Sequence, residues 1–257
     1  MMSDRTAQQA DTGALGSQRV IVVMPTYNEI DNLGTTLAGI FSCTHGAEVV
    51  VVDDNSPDGT GAMADFMAQG EPRLHVLHRK AKNGLGPAYL EGFRWALQQQ
   101  YDVICEMDMD GSHRPQDLAR MLDVMERNPH VDLVIGSRRV RGGQTVNWPM
   151  HRDVISRVGS WYARSMLALP VKDVTAGFRA YRSSLLRQID LEDIEANGYV
   201  FQVDMTRRAH QSGARILEIP IAFIERRHGS SKMGSGIVLE AMLRVTAWGA
   251  ERMIKRS

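Results

Sequence analysis

The sequence predicts an α/β fold: a Rossmann-like, mostly parallel sheet flanked by helices. Three observations predict it. Apolar runs of strand length alternate with helix-period segments as far as about residue 138. The runs are continuously apolar rather than alternating, as expected for parallel strands buried on both faces. Each ends in a polar, turn-forming stretch, which collects functional side chains at the carboxyl edge of one sheet, where open α/β sheets bind ligands.

Residues 1 to 18 are small, polar and without periodicity, and are expected to be a disordered tail ahead of a single domain, 19–257. Arg19-Val20-Ile21-Val22-Val23-Met24 is the first strand. It stops at Pro25-Thr26-Tyr27-Asn28-Glu29, and Ile30, Leu33, Leu37 and Ile40 then mark a helix. The second strand, 48–52, runs into Asp53-Asp54-Asn55-Ser56-Pro57-Asp58-Gly59-Thr60. Ser56 and Asp58 suit helix capping; two adjoining acids can also accept from a base N–H or a ribose hydroxyl. Leu74 to His78 is the third strand, followed by the basic loop 79–86, with Lys82, Gly84 and Gly86, feeding a helix N-terminus that can cradle phosphate.

The fourth strand, from Val103, ends in Glu106-Met107-Asp108-Met109-Asp110-Gly111-Ser112-His113. Alternate side chains of a strand point the same way, so Asp108 and Asp110 can face one spot. Two hard oxygens and a hydroxyl suit Mg²⁺ or Mn²⁺; the plainer alternative is a polar turn before the helix at Pro115. The fifth strand, 131–135, leads to Gly136-Ser137-Arg138-Arg139.

The second half changes character. Gly142-Gly143 and Pro149 predict a flexible loop, and Val154, Ile155, Val158, Trp161, Tyr162, Met166 and Leu169 follow helical spacing. Packing that stripe on the sheet is one expectation, and laying it on a membrane interface is the other. A late strand is expected from Ile216 to Phe223. A C-terminal helix from about Ile237 to Ile254 has its apolar stripe on Ile237, Ala241, Met242, Val245 and Trp248, with basic residues alongside.

With 257 residues, 43% of them hydrophobic, the chain can bury a real core. A net formal charge of zero argues against a generic nucleic-acid binder. Between Arg138 and Arg164, however, six arginines face the single acid Asp153, a block suited to an anion. Cys43 and Cys105 sit in apolar surroundings without metal-ligand spacing. No signal peptide or membrane-spanning run is evident, so the expectation is a cytosolic protein unless a partner holds it on a membrane.

Eight motifs stand in order: Val22-x-Met24-Pro25-Thr26-Tyr27-Asn28-Glu29, 51–60, Asn83 to Tyr89, Met107 to His113, Gly136-Ser137-Arg138, Thr175 to Arg182, Gly198 to Gln202, and Arg226-x-x-Gly229-x-Ser231-Lys232-Met233. The set resembles the dolichol- or polyprenol-phosphate mannosyltransferases, family 2 glycosyltransferases with a GT-A fold, over nearly the whole chain after residue 19. The resemblance implies metal-dependent, inverting transfer of mannose from GDP-mannose to a polyprenyl phosphate. It implies that Pro25, Tyr27, Glu29, Val52, Asp53, Asp54, Lys82, Met109, Arg226 and Lys232 contact the nucleotide sugar. Asp108, Asp110 and Ser112 would hold Mg²⁺ or Mn²⁺, and Arg138, Arg152 and Ser156 would receive the acceptor phosphate. Residues 19–138 would then form the nucleotide-sugar half and 139–257 the acceptor half. Two departures stand out: Gly111 replaces a larger apolar residue and Ser112 replaces Gln. Many relatives also carry transmembrane helices after this domain; here the resemblance implies a cytoplasmic protein peripheral on the cytoplasmic face of a membrane, reaching it through amphipathic helices or a membrane-embedded partner.

Other readings keep the fold with a UDP-sugar donor, or make the chain a non-catalytic sugar-nucleotide or lipid-binding scaffold. A further one assigns Asp108-Met109-Asp110-Gly111-Ser112 to a haloacid-dehalogenase-type phosphatase. That loop usually follows the first strand in those enzymes, whereas three strands precede it here.

Overall fold

The structure, a computed structural model, describes residues 18–44, 46–194, 199–225 and 235–254. In chain order the elements are β1 (Val20–Thr26), α1 (Ile30–Cys43), β2 (Glu48–Asp53), α2 (Thr60–Ala68), β3 (Leu74–His78), α3 (Leu85–Gln98), β4 (Val103–Glu106), α4 (Pro115–Arg127) and β5 (Leu133–Ser137). There follow β6 (Gln144–Val146), α5 (Met150–Leu167), β7 (Arg179–Arg182), α6 (Ser183–Gln188), α7 (Tyr199–Gln211), β8 (Ile216–Pro220), β9 (Ala222–Ile224) and α8 (Ser235–Ile254).

Seven strands form one sheet in the order β3-β2-β1-β4-β7-β5-β8. Only β7 runs against its neighbours; the other pairings are parallel. The continuous apolar runs divide their side chains between two cores, as a period of two requires. Ile21, Val23, Val50, Val52 and Ile104 pack with Phe93 of α3 and Phe201 of α7 on one face. Val22, Met24, Val49, Val51 and Cys105 pack with Leu37 of α1 and Met121 of α4 on the other. Gly92 lets α3 lie tightly on β1, since a Cβ there would meet Val23 Cγ1 at 2.3 Å.

Four features of the second half depart from expectation. The single strand expected over 216–223 is two strands in different sheets. Pro220 has no amide with which to continue the ladder, and after it Ala222–Ile224 pairs with β6 instead. The 142–149 segment, expected to be a flexible loop, therefore contains a strand. The Arg179–Arg182 strand has no apolar run to announce it, yet it fills the gap between β4 and β5. Finally, only the later part of the expected α5 stripe is packed: Leu169 is buried and Tyr162 and Met166 lie against the core, but the first part is not. The buried residues of α5 are Ser156, Ser160, Ala163 and Leu167, while Val154, Ile155, Val158 and Trp161 are exposed. Small side chains let the helix approach segment 173–175, where Ser156 and Ser160 each lie 3.3 Å from the Thr175 hydroxyl.

On α8, Val245 is buried and Trp248 packs against the core, under the Arg207 guanidinium at 4.6 Å. Among the described residues no helix is long and apolar enough to cross a membrane.

Candidate active site

The carboxyl ends of β1, β2, β4 and β5 share one edge of the sheet, and the expected site residues within the described part gather there or in the segments just beyond. At β4 the alternation runs past the strand end. Met107 and Met109 are buried in the apolar core, which leaves Glu106, Asp108 and Asp110 on the other side of the chain. Asp108 Oδ1 accepts the Tyr89 hydroxyl at 3.0 Å, and Asp110 Oδ1 accepts the Ser112 amide at 3.0 Å. Gly111 between them has φ +74°, a left-handed turn that strains any other residue, which explains the glycine at this position. Ser112 is buried, and its hydroxyl has no hydrogen-bond partner among the described residues. Two carboxylates and an orphaned hydroxyl in one turn form a hard oxygen donor set that fits Mg²⁺ or Mn²⁺. No group of three or more His, Cys, Asp or Glu able to hold a metal occurs among the described residues. Such ions often use only one or two protein carboxylates, with waters and substrate phosphates completing the shell.

Directly behind this turn is a buried polar cluster. Glu106 accepts the Tyr181 hydroxyl at 2.8 Å and the Gln202 amide at 2.7 Å. Burial pushes its carboxyl up to about 7, against the pull of Arg179 and the two hydrogen bonds. Sequence reasoning did not single out Glu106, Tyr89 or Tyr181 as partners of this turn, although Tyr89 and Tyr181 each lie in one of the eight motifs.

At the ends of β1 and β2 two turns are tied together. Asp53 accepts the Thr26 hydroxyl at 3.1 Å and the Ser56 amide at 3.0 Å. Asp58 accepts the Ile30 amide at 3.2 Å, and Thr60 accepts the Glu29 amide at 3.0 Å. The first acid of the pair thus builds the turn. The second, Asp54, is ion-paired with the buried side chain of Arg79, which also reaches Glu91 at 2.9 Å. Burial raises the Asp54 carboxyl, with Arg79 pulling the other way. Lys82 lies 3.6 Å over the Tyr27 ring, and Glu29 accepts from the Asn32 side chain at 2.7 Å. Pro25 is half-buried beside Val52 in the β1–β2 register. The side chains of Val52 and Met109 are in the core, so only their main chain can meet a ligand.

The arginine block is heavily paired with acids. Asp173, fully buried, accepts the Arg138 backbone amide at 2.9 Å, Nε at 2.8 Å and Nη2 at 2.7 Å. Burial opposes ionisation of Asp173, but the Arg138 charge and these hydrogen bonds outweigh it and hold the carboxyl below its usual value. Arg138 Nη2 also lies 3.4 Å from Ser156 Oγ, and the guanidinium sits 5.3 Å from both the Trp148 and the Phe223 rings. Arg139 pairs with Asp153 at 2.6 Å, and Arg152 with Glu225 at 2.8 Å. Two of these partners, Asp173 and Glu225, come from far along the chain, so charge counting within 138–164 missed them. Arg226 and Lys232 lie outside the described residues.

The metal-type turn and the arginine block are physically connected. The Ser112 carbonyl accepts the Ile224 amide of β9 at 3.0 Å, and the Val146 carbonyl of β6 accepts the Glu225 amide at 2.9 Å. His113 stacks on Phe178 at 4.6 Å and meets the Phe223 ring edge-on at 5.5 Å.

Comparison with known proteins bears on the family and the fold. Residues 21–190 match the model of Glycosyl transferase family 2. The chain is 55% identical over 231 residues to an undecaprenyl-phosphate mannosyltransferase of Micrococcus luteus, covering 90% of this chain and 94% of that protein. It is 46% identical over 242 residues to a polyprenol monophosphomannose synthase of Mycolicibacterium smegmatis, covering 94% and 91%. Among solved structures it is similar in fold to a mannosyltransferase from Pyrobaculum calidifontis in complex with GDP-Man and Mn²⁺. There the TM-score is 0.59 at 20% identity, covering 93% of this chain and 64% of that one. A glucosyl-3-phosphoglycerate synthase from Mycobacterium tuberculosis with Mn²⁺, UDP-glucose and phosphoglyceric acid gives a TM-score of 0.66 at 17% identity, covering 90% and 80%. The chain belongs to glycosyl transferase family 2 and has the GT-A fold. The phosphatase and scaffold readings are thereby set aside.

Proposed function

We propose that this glycosyltransferase moves mannose from GDP-mannose to the phosphate of a polyprenyl phosphate, inverting the sugar to give a β-mannosyl phospholipid and GDP. The observation that carries the proposal is the Asp108–Asp110–Ser112 oxygen set joined, through the Ser112–Ile224 hydrogen bond, to the segment that bears Phe223 and Glu225 against Arg138 and Arg152. The names of the two curated relatives support the acceptor class and the sugar.

Asp108, Asp110 and Ser112 would hold Mg²⁺ or Mn²⁺, which when bound supplies positive charge against the departing diphosphate. Tyr27, Glu29, Asp54 and Lys82 would receive the guanosine and its phosphates, and the main chain at Pro25, Val52, Asp53 and Met109 would shape the pocket. A phosphate monoester with a second pKa of about 6 is largely dianionic at neutral pH and already nucleophilic, so no general base is needed. Asp173 fixes the Arg138 guanidinium through Nε and Nη2, with the Trp148 and Phe223 rings nearby, which supports reading Arg138 as a positioned cation beside the acceptor phosphate. Arg152 would exchange Glu225 for the acceptor phosphate, with Ser156 donating beside it.

The lipid would arrive from a membrane on which the protein lies. Met150, Val154, Ile155, Val158 and Trp161 on α5 and Leu243, Met253 and Ile254 on α8 are exposed. Exposed large apolar residues with a tryptophan suit an interface. The test incubates the protein with labelled GDP-mannose, Mg²⁺ or Mn²⁺ and a short polyprenyl phosphate, with EDTA and UDP-glucose controls. EDTA-sensitive label in the organic phase, undiminished by UDP-glucose, is expected; label from UDP-glucose instead would overturn the donor.

A further inference from the structure

We propose that Tyr89 is a positioning residue whose hydroxyl fixes the Asp108 carboxylate for the divalent ion; this rests on the reading that Asp108 holds that ion. Tyr89 is fully buried on α3, and its hydroxyl donates to Asp108 Oδ1 at 3.0 Å across the sheet edge. A carboxylate is acceptor-only, so the phenol must donate, and one lone pair of Oδ1 is thereby committed. The ring cannot swing aside. It lies parallel to Phe201 at 6.0 Å with an interplanar angle of 1°, and Phe93 closes another side at 6.0 Å.

Phe201 brings in two motifs to which the reaction itself assigns no role. It lies in the 198–202 motif, and the next residue, Gln202, donates to Glu106 two positions before Asp108. Glu106 also takes the Tyr181 hydroxyl from the 175–182 motif. Arg179 of that motif is bound to the carbonyls of Ala176 at 2.7 Å and Val174 at 2.9 Å. The two motifs form a buried brace that sets the end of β4 and the plane of the Tyr89 ring together. Partners that orient a metal-binding carboxylate in this way tune affinity for the ion without touching it.

The test titrates GDP calorimetrically into the full chain in Mn²⁺ and again in EDTA. The ratio of the two dissociation constants measures the gain in nucleotide affinity that the ion confers. Tyr89→Phe, which keeps the ring, should lower that gain by about tenfold, with the EDTA affinity and the unfolding midpoint close to wild type. Because the gain is a ratio within one variant, any loss of folded fraction enters both titrations alike. Asp110→Asn serves as the reference that abolishes the gain. If Asp110→Asn loses the gain while Tyr89→Phe keeps it, Tyr89 is ordinary core packing and the positioning role is overturned with the metal site intact. If wild type shows no gain, the metal reading and the positioning role fall together.

Discussion

The end of β4 and the arginine block from Arg138 to Arg157 meet at one edge of the sheet, yet they are built on opposite plans. At β4 the acids Asp108 and Asp110 accept from neutral donors, the Tyr89 hydroxyl and the Ser112 amide. In the block, cations are matched to acids: Arg138 to Asp173, Arg139 to Asp153, Arg152 to Glu225. The first plan sets two carboxylates in one turn, each held by an uncharged donor. The second neutralises each cation with an acid, and in the proposed function an anionic acceptor would exchange with one of those acids. A site that, as proposed, holds a diphosphate through a metal and a second phosphate without one has reason to use both.

The largest way to break this contrast is at Asp110. Asp110→Ala should reduce transfer by roughly 10³-fold or more, several kcal/mol of lost leaving-group stabilisation. Unfolding should be little changed, and EDTA should have no further effect. Residual activity that remains EDTA-sensitive would move the ion elsewhere. On the paired side, Asp173→Asn leaves the buried Arg138 charge without its acid and should destabilise the fold by about 3–5 kcal/mol in chemical denaturation. The wild-type pH dependence follows from the lowered Asp173 carboxyl. Its folded value lies below its unfolded one, so its contribution to stability is complete above the unfolded value and is lost as pH falls through the folded one. Asp173→Asn should therefore flatten the acid limb of the stability profile, and an unchanged acid limb would contradict the pairing.

Much of the first plan is legible in the sequence, because its acids and its turn are local; the Tyr89 donor, 19 positions before Asp108, is the part that is not. Strand 103–106, the Asp-x-Asp alternation and the left-handed glycine lie within a few residues of one another, and a period of two does the rest. The second plan is not legible. Arg138 and Asp173 are 35 positions apart, Arg152 and Glu225 are 73 apart, and nothing in the spacing of six arginines says which acids will reach them. The same holds for α5. Of its expected stripe, Tyr162, Met166 and Leu169 are packed, but at the level of Val154, Ile155, Val158 and Trp161 the packed face is Ser156, Ser160 and Ala163, whose small side chains give almost no hydrophobic signal. β7 escaped for a related reason: a strand that contains a fully buried arginine does not look like a strand.

Smaller effects sharpen the picture. Gly92→Ala should cost about 1–3 kcal/mol of stability, because its Cβ would overlap Val23 beneath β1; thermal unfolding measures it. Trp161→Gln should weaken binding to anionic vesicles by roughly tenfold, about 1.4 kcal/mol, without lowering the unfolding midpoint. Unaltered vesicle binding would remove α5 from the membrane face.

The division of labour between the two regions is tested most directly with Arg152→Ala, by measuring the KM for a short polyprenyl phosphate and the affinity for GDP in Mn²⁺ on the same preparation. A KM raised about tenfold or more with GDP affinity unchanged is the expected result, since Arg152 would exchange one anion for another. Equal loss of both would contradict a separate acceptor site and place Arg152 with the nucleotide.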